Sequence, residues 1–265
     1  MRPIAYVGIT GFKEDREVRT VAEQFLEHGF LGPEAGHTAK YHKPMFGFLC
    51  SSKRLADRRS QGEQSPRAEV LDCLARYTPK GALPMIHYFT ENRRNLAEEI
   101  KEAFSIGDMY EKNYCRAVQI NMSWPEIDQI EAIRKEFPEM DVVLQLPKET
   151  LKDSQRAIGY GDLVQYCLID PSGGKGQEIS DEHLGLVKIL HDSMPNTRIG
   201  IAGGLNGDNV REIMKKVYDA IGDFFCIDAQ GQLRTDDKTG LHSGKTSKYI
   251  DSASYGVRIG EKFHG

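Results

Sequence analysis

Arg198–Val210 reads RIGIAGGLNGDNV, and Phe224–Arg234 reads FFCIDAQGQLR. Each is an apolar run that ends in a glycine turn, and the first turn leads straight into a helical pattern near Asn209. Backbone N–H groups at two strand ends are therefore placed to converge on one anion. In a (βα)8 barrel, the loops after strands seven and eight are where phosphate is held.

Working outward, short apolar runs recur along the chain with amphipathic stretches between them. Strands are expected at Ile4–Thr10, Phe46–Cys50, Leu83–Phe89, Ala117–Asn121, Val142–Leu146, Leu163–Asp170, Arg198–Ala202 and Phe224–Asp228. Helical spacing falls over Glu17–Glu27, Pro66–Tyr77, Arg94–Phe104, Pro125–Phe137, Leu151–Ile158, Asp181–Met194, Asn209–Ile221 and Thr246–Ala253. Strands that read as continuous apolar runs, each followed by a helix, imply a parallel sheet covered by helices. Eight such units and the paired turns favour an α/β fold, a single closed (βα)8 TIM barrel over residues 1–265, rather than a doubly wound sheet. Three connections are long: Gly29–Pro44, Ser51–Ser65 and Thr235–Lys245. The last two fall on the C-terminal face, where barrel chemistry sits, and the first on the opposite face.

Composition narrows the class. With 39% hydrophobic and 28% charged residues and a formal net charge of −4, the chain has no basic bias, so nucleic-acid binding is not expected. MRPIAYVGIT at the N-terminus lacks the apolar core of a signal peptide, and no run reaches membrane-spanning length. No membrane association and a cytoplasmic location are the expectation. The five cysteines are odd in number and mostly lie in apolar runs, which reads as reduced core thiols. No metal or cofactor is expected: helical His pairs, Cys-x-x-Cys, Gly-x-Ser-x-Gly and GxxxxGK[ST] are all missing.

Polar residues in or at the end of the apolar runs are the candidates for chemistry: His87, Gln119, Asn121, Gln145, Asp170 and Asp228. A buried polar group left unsatisfied costs about 1–3 kcal/mol, so these either satisfy one another or face a ligand. Asp170 ends a strand before the Gly-rich Ser172–Glu178, although a turn or capping role beside Pro171 is the alternative. His87 can be a core histidine or a base whose pKa lies near neutrality. The turns of Gly203, Gly204 and Gly231, with Gln230, either cradle phosphate or simply join strand to helix, with Asp208 or Asn209 as N-cap.

These residues carry a resemblance to phosphoribosylanthranilate isomerase that runs in order through nearly the whole chain. Ala5–Thr10, AYVGIT, resembles the family's KICGIT; Ser52–Lys53–Arg54 resembles its SKR; and Ala117–Asn121, AVQIN, resembles AVQLH. Leu168–Asp170 before Gly173–Gly176 resembles LLD before a mobile loop that closes over substrate, which would bring Lys175 near the site. IAGGLNGDNV is similar to SGGLNPENV, and Ile227–Gly231, IDAQG, to VDVSSG.

The resemblance implies a phosphosugar ligand held by Gly203, Gly204, Gln230 and Gly231, with Arg54 and Asn121 reaching substrate. It makes Asp170 the general acid that protonates the furanose oxygen. The family's general base is the cysteine of KICGIT, and Val7 stands at that position; Arg234 stands where the family has the glutamate of SSGVE. A valine cannot take a proton, so a base must come from elsewhere, Asp228 or His87. The expectation is an isomerase or lyase acting on a small phosphorylated substrate and different from the standard tryptophan-pathway enzyme. The alternatives are a non-catalytic phosphosugar-binding barrel and a pathway enzyme with a relocated base.

Overall fold

All eight apolar runs form strands: β1 (Ala5–Thr10), β2 (His42–Ser51), β3 (Leu83–Phe89), β4 (Ala117–Ile120), β5 (Asp141–Pro147), β6 (Tyr166–Asp170), β7 (Arg198–Ala202) and β8 (Cys226–Ala229). In the computed structural model, which describes residues 2–32, 40–148, 152–171 and 179–261, they pair in sequence order, every pair parallel. The barrel closes where β1 meets β8, with Gly8 opposite Asp228. The strands read as continuous apolar runs because both faces are covered, one by the lumen and one by helices.

Helices α1 (Asp15–Glu27), α2 (Ser52–Ala56), α3 (Leu71–Tyr77), α4 (Leu96–Ser105), α5 (Ile127–Glu136), α6 (Ser154–Ile158), α7 (Asp181–Ser193), α8 (Val210–Ile221) and α9 (Ser243–Glu261) surround the strands. The pattern is plain in α8, which buries Val210, Ile213, Met214, Val217 and Tyr218 and stops at Gly222 in the left-handed conformation. On α1, Glu14 and Glu17 form a reciprocal capping box.

Several boundaries differ from the sequence reading. β2 begins at His42 rather than Phe46, since Lys43 and Pro44 already pair with β1. α2 lies within a segment read as a loop, and its cap is Ser51, whose hydroxyl accepts from Arg54 N. α9 runs eight residues past the expected Ala253. Gly256 and Gly260 are poor helix formers, but they let α9 approach α8 closely: a Cβ on Gly256 would lie 2.3 Å from Met214 Sδ. Packing outweighs propensity there. The Ser172–Glu178 loop with Lys175, Leu151 and part of the Gly29–Pro44 connection lie outside the described residues.

Alternation along each strand decides what faces the lumen. A Cβ on Gly8 would meet Asp228 Oδ1 and Met45 Cε, so Tyr6, Gly8 and Thr10 point inward, and Ala5, Val7 and Ile9 point toward the helices. At the N-terminal end, Asp223 accepts from Arg2 at 2.7 Å and Arg198 at 3.0 Å and ties the first residues to β7. Four of the cysteines are buried, Cys73 is partly exposed, and all five are free thiols. Among the described residues, no helix is long and apolar enough to cross a membrane.

Candidate active site at the C-terminal mouth

Thr10, the last residue of β1, organises one side of the mouth. Its hydroxyl donates to Asp228 at 2.9 Å (Oδ1) and 3.1 Å (Oδ2), and lies 3.4 Å from His87 Nε2. A hydroxyl has one hydrogen, and Asp228 takes it, so the histidine contact requires His87 to carry its proton on Nε2. Space for this trio comes from β2: a Cβ on Gly47 would lie 2.3 Å from Thr10 Oγ1 and 2.7 Å from His87 Nε2.

On the other side, four polar residues connect β4, β5 and β6. Gln145 Nε2 donates to Asp170 Oδ2 at 2.8 Å, while Gln119 Nε2 donates to Asn121 Oδ1 at 2.9 Å and to Gln145 Oε1 at 3.4 Å. Of the two expected alternatives, mutual satisfaction accounts for most of these groups; the buried Gln119 Oε1 has no partner.

Burial sets the charges. The Asp228 carboxyl, 6% exposed, is pushed up from 3.8 to about 7, chiefly by desolvation and further by the charge of Asp170, against the Thr10 donor that lowers it. The same desolvation pushes His87 down to about 3, so the imidazole is neutral. A pKa near neutrality, the condition set for His87 as a base, is met instead by Asp228. Cys50 is not a thiolate either, since burial raises it to about 12.

The remaining candidates lie around the rim. Gly203 (φ 95°) and Gly204 (φ 65°) both occupy the left-handed region. The turn after them is held by Asn206, whose Oδ1 accepts from Asp208 N at 2.7 Å and Asn209 N at 3.2 Å. Asn209 stands at the N-cap of α8, one of the two expected positions, but its side chain makes no cap bond: its Oδ1 accepts from Asn206 N and its Nδ2 donates to Gly204 O. Gly231 opens a short 3-10 turn, Gly231–Leu233, after β8.

Gln230 and Arg54 are turned to other partners. Gln230 Nε2 donates to Gln64 Oε1 at 2.8 Å, and Arg54 Nη1 to Ser60 Oγ at 2.7 Å, both in the loop after β2. Sequence reasoning missed Thr10, Gly47 and Gln64. The Thr ending AYVGIT was the one available signal, a hydroxyl at the C-terminal end of a barrel strand.

These features define a class: a closed (βα)8 barrel with two carboxylates and a neutral histidine at the C-terminal strand ends, beside paired glycine turns. Solved structures of phosphoribosylanthranilate isomerase share this fold. The enzyme from Thermotoga maritima is 18% identical, covering 94% of this chain and 98% of its own, with a TM-score of 0.64. A phosphoribosylanthranilate isomerase in complex with reduced 1-(o-carboxyphenylamino)-1-deoxyribulose 5-phosphate is 16% identical over 94% and 98%, with a TM-score of 0.63. TrpF from Jonesia denitrificans is 13% identical over 94% and 96%, with a TM-score of 0.61. No protein-family model and no curated protein matches the sequence. In fold the chain is thus similar to phosphoribosylanthranilate isomerase, and a shared fold does not carry a shared reaction.

Proposed function

We propose that the protein binds a small phosphorylated sugar or similar anion at the C-terminal mouth, in the cytoplasm, and acts on it by proton transfer as an isomerase or lyase. The observation that carries this reading is Asp228, a carboxyl buried against Thr10 and raised to about 7. Such a group changes protonation state near neutrality, which suits a general base or acid. Asp170, on β6, takes the role of acid, and its charge contributes to the raised value at Asp228. His87 acts as a neutral donor that orients Thr10, and through it Asp228. Gly203, Gly204 and Gly231 hold the phosphate, while Asn121 and the unpartnered Gln119 Oε1 face the sugar hydroxyls.

Val7 supports a reaction different from the standard one. It is fully buried on the helix-facing side of β1, so a base at that position would point away from Asp228. The test is a panel of pentose and hexose phosphates followed by NMR for product, with Asp228→Asn, Asp170→Asn and Gly204→Asp as controls. Turnover that survives both carboxylate changes would overturn the catalytic assignment.

A second reading, a phosphosugar-binding barrel without catalysis, draws on the same Val7. It requires that phosphosugars raise the melting temperature without product appearing. Complementation of a tryptophan auxotroph tests the relocated-base alternative.

A further inference from the structure

Among the described residues, Arg234 heads the large side chains that are fully buried, 1% exposed, at the end of the turn that follows β8. Its Nη2 donates to Gly11 O at 2.7 Å, while Nε and Nη1 are buried with no acceptor. Gly11 directly follows Thr10, and its own N–H donates to Gly47 O at 2.7 Å, so the guanidinium sits over the ends of β1 and β2, at the rim beside the Thr10–Asp228 pair.

The backbone is shaped to admit this group. Gly11 holds a φ of +99°, and a Cβ there would lie 1.7 Å from Arg234 Nη2. Burial works against its charge, and Glu17 and Glu63 favour the charge from a distance without touching the guanidinium. Among the described residues, none makes an ion pair with Arg234: Glu17 is committed to the N–H groups of Lys13 and Leu241, and Glu63 is exposed. A charge taken out of water with two donors unused needs an acceptor that the protein itself does not supply.

We propose that Arg234 is an oxyanion subsite, separate from the glycine turns, that takes a carboxylate or phosphate group of the ligand. A planar guanidinium with free donors matches either group. The inference deepens the proposed function by giving the ligand a second anionic group, one oriented toward β1 and β2. Three contacts join the loops over this place: Gln230 to Gln64, Lys13 Nζ to Glu63 O at 3.2 Å, and Arg234 to Gly11. Admitting a ligand group to Arg234 requires the first two to part.

The test uses the intact wild-type chain. The Arg234 Nε–H resonance, assigned by its loss in Arg234→Lys, and the Gly204 amide are followed during separate titrations with sodium acetate and inorganic phosphate, ionic strength being held with chloride. The expected result is a saturable shift of Nε–H with one anion or both, at a midpoint different from that of the Gly204 amide. Response to acetate identifies a carboxylate site, and response to phosphate a second phosphate site. Arg234→Met, which removes the unpaired charge, should melt no lower than wild type without anion and lose the anion-induced rise of the acetate or phosphate concerned.

Two results would overturn the proposal: an Nε–H that neither anion moves, or one that follows phosphate with the same midpoint as Gly204, meaning a single site in the glycine turns. A Gly204 amide unmoved by phosphate would count against the proposed phosphate cup, while the Arg234 response to acetate is read independently.

Discussion

Replacing Asp228 by Asn should remove a specific pH dependence of stability. The folded carboxyl, raised from 3.8 to about 7, holds its proton more tightly than the unfolded one. Between those values the folded state binds more protons, so the stabilising contribution is complete below pH 3.8 and is lost as pH rises through about 7. A shift of this size corresponds to about 4 kcal/mol over the whole window, of which about 2.5 kcal/mol falls between pH 5 and pH 8.

Urea unfolding of wild type and Asp228→Asn at those two pH values isolates the effect. Titrating groups that are not coupled to Asp228, including the buried His87 and His42 whose lowered values act in the opposite direction, are common to both proteins and cancel in the difference. The wild type should lose about 2.5 kcal/mol relative to the variant on going from pH 5 to pH 8. A difference that stays constant within about 0.5 kcal/mol would refute the burial argument and with it the assignment of Asp228 as the group poised near neutrality.

Further outcomes are expected. Gly47→Ala should cost about 1–3 kcal/mol and abolish any turnover that depends on Asp228, because the new methyl displaces Thr10 and His87; chemical denaturation beside the activity panel checks this. Val7→Cys should confer no phosphoribosylanthranilate isomerase activity, since the thiol would face the helices; growth of a complemented tryptophan auxotroph would contradict it. Asp223→Asn should lose about 2 kcal/mol at pH 7. Burial alone would raise Asp223, but Arg198, Arg2, the Phe224 N–H and His191 together hold it down to about 2. Its contribution is therefore present above about pH 4 and vanishes as pH falls through about 2, and acid-unfolding curves of the two proteins should converge there.

Much of the barrel was legible because each unit announces itself locally. β3 and β7 fall on the residues expected from their apolar runs, since Gly, Pro or a charged cluster bounds both. The errors are places where a distant partner decides. β2 extends back to His42 because β1 offers Lys43 and Pro44 a pairing edge. α9 continues past Ala253 because two glycines that are weak helix formers fit against Met214 and Tyr218.

The same division runs through the site. The sequence by itself determined the eight strand–helix units, the glycine turns after β7 and β8, and the polar residues at the strand ends, because periodicity and turn chemistry are local properties. Which strand face becomes the lumen was decided only by barrel closure, which sets Gly8 opposite Asp228 and sends Val7 outward. Closure also made Thr10 the link between β8 and β3, raised Asp228 and lowered His87 by burying both, and sealed Arg234 over Gly11 with donors to spare. Desolvation and hydrogen-bond partnership depend on residues that are remote in sequence and adjacent only in the folded barrel, so spacing along the chain could not contain them.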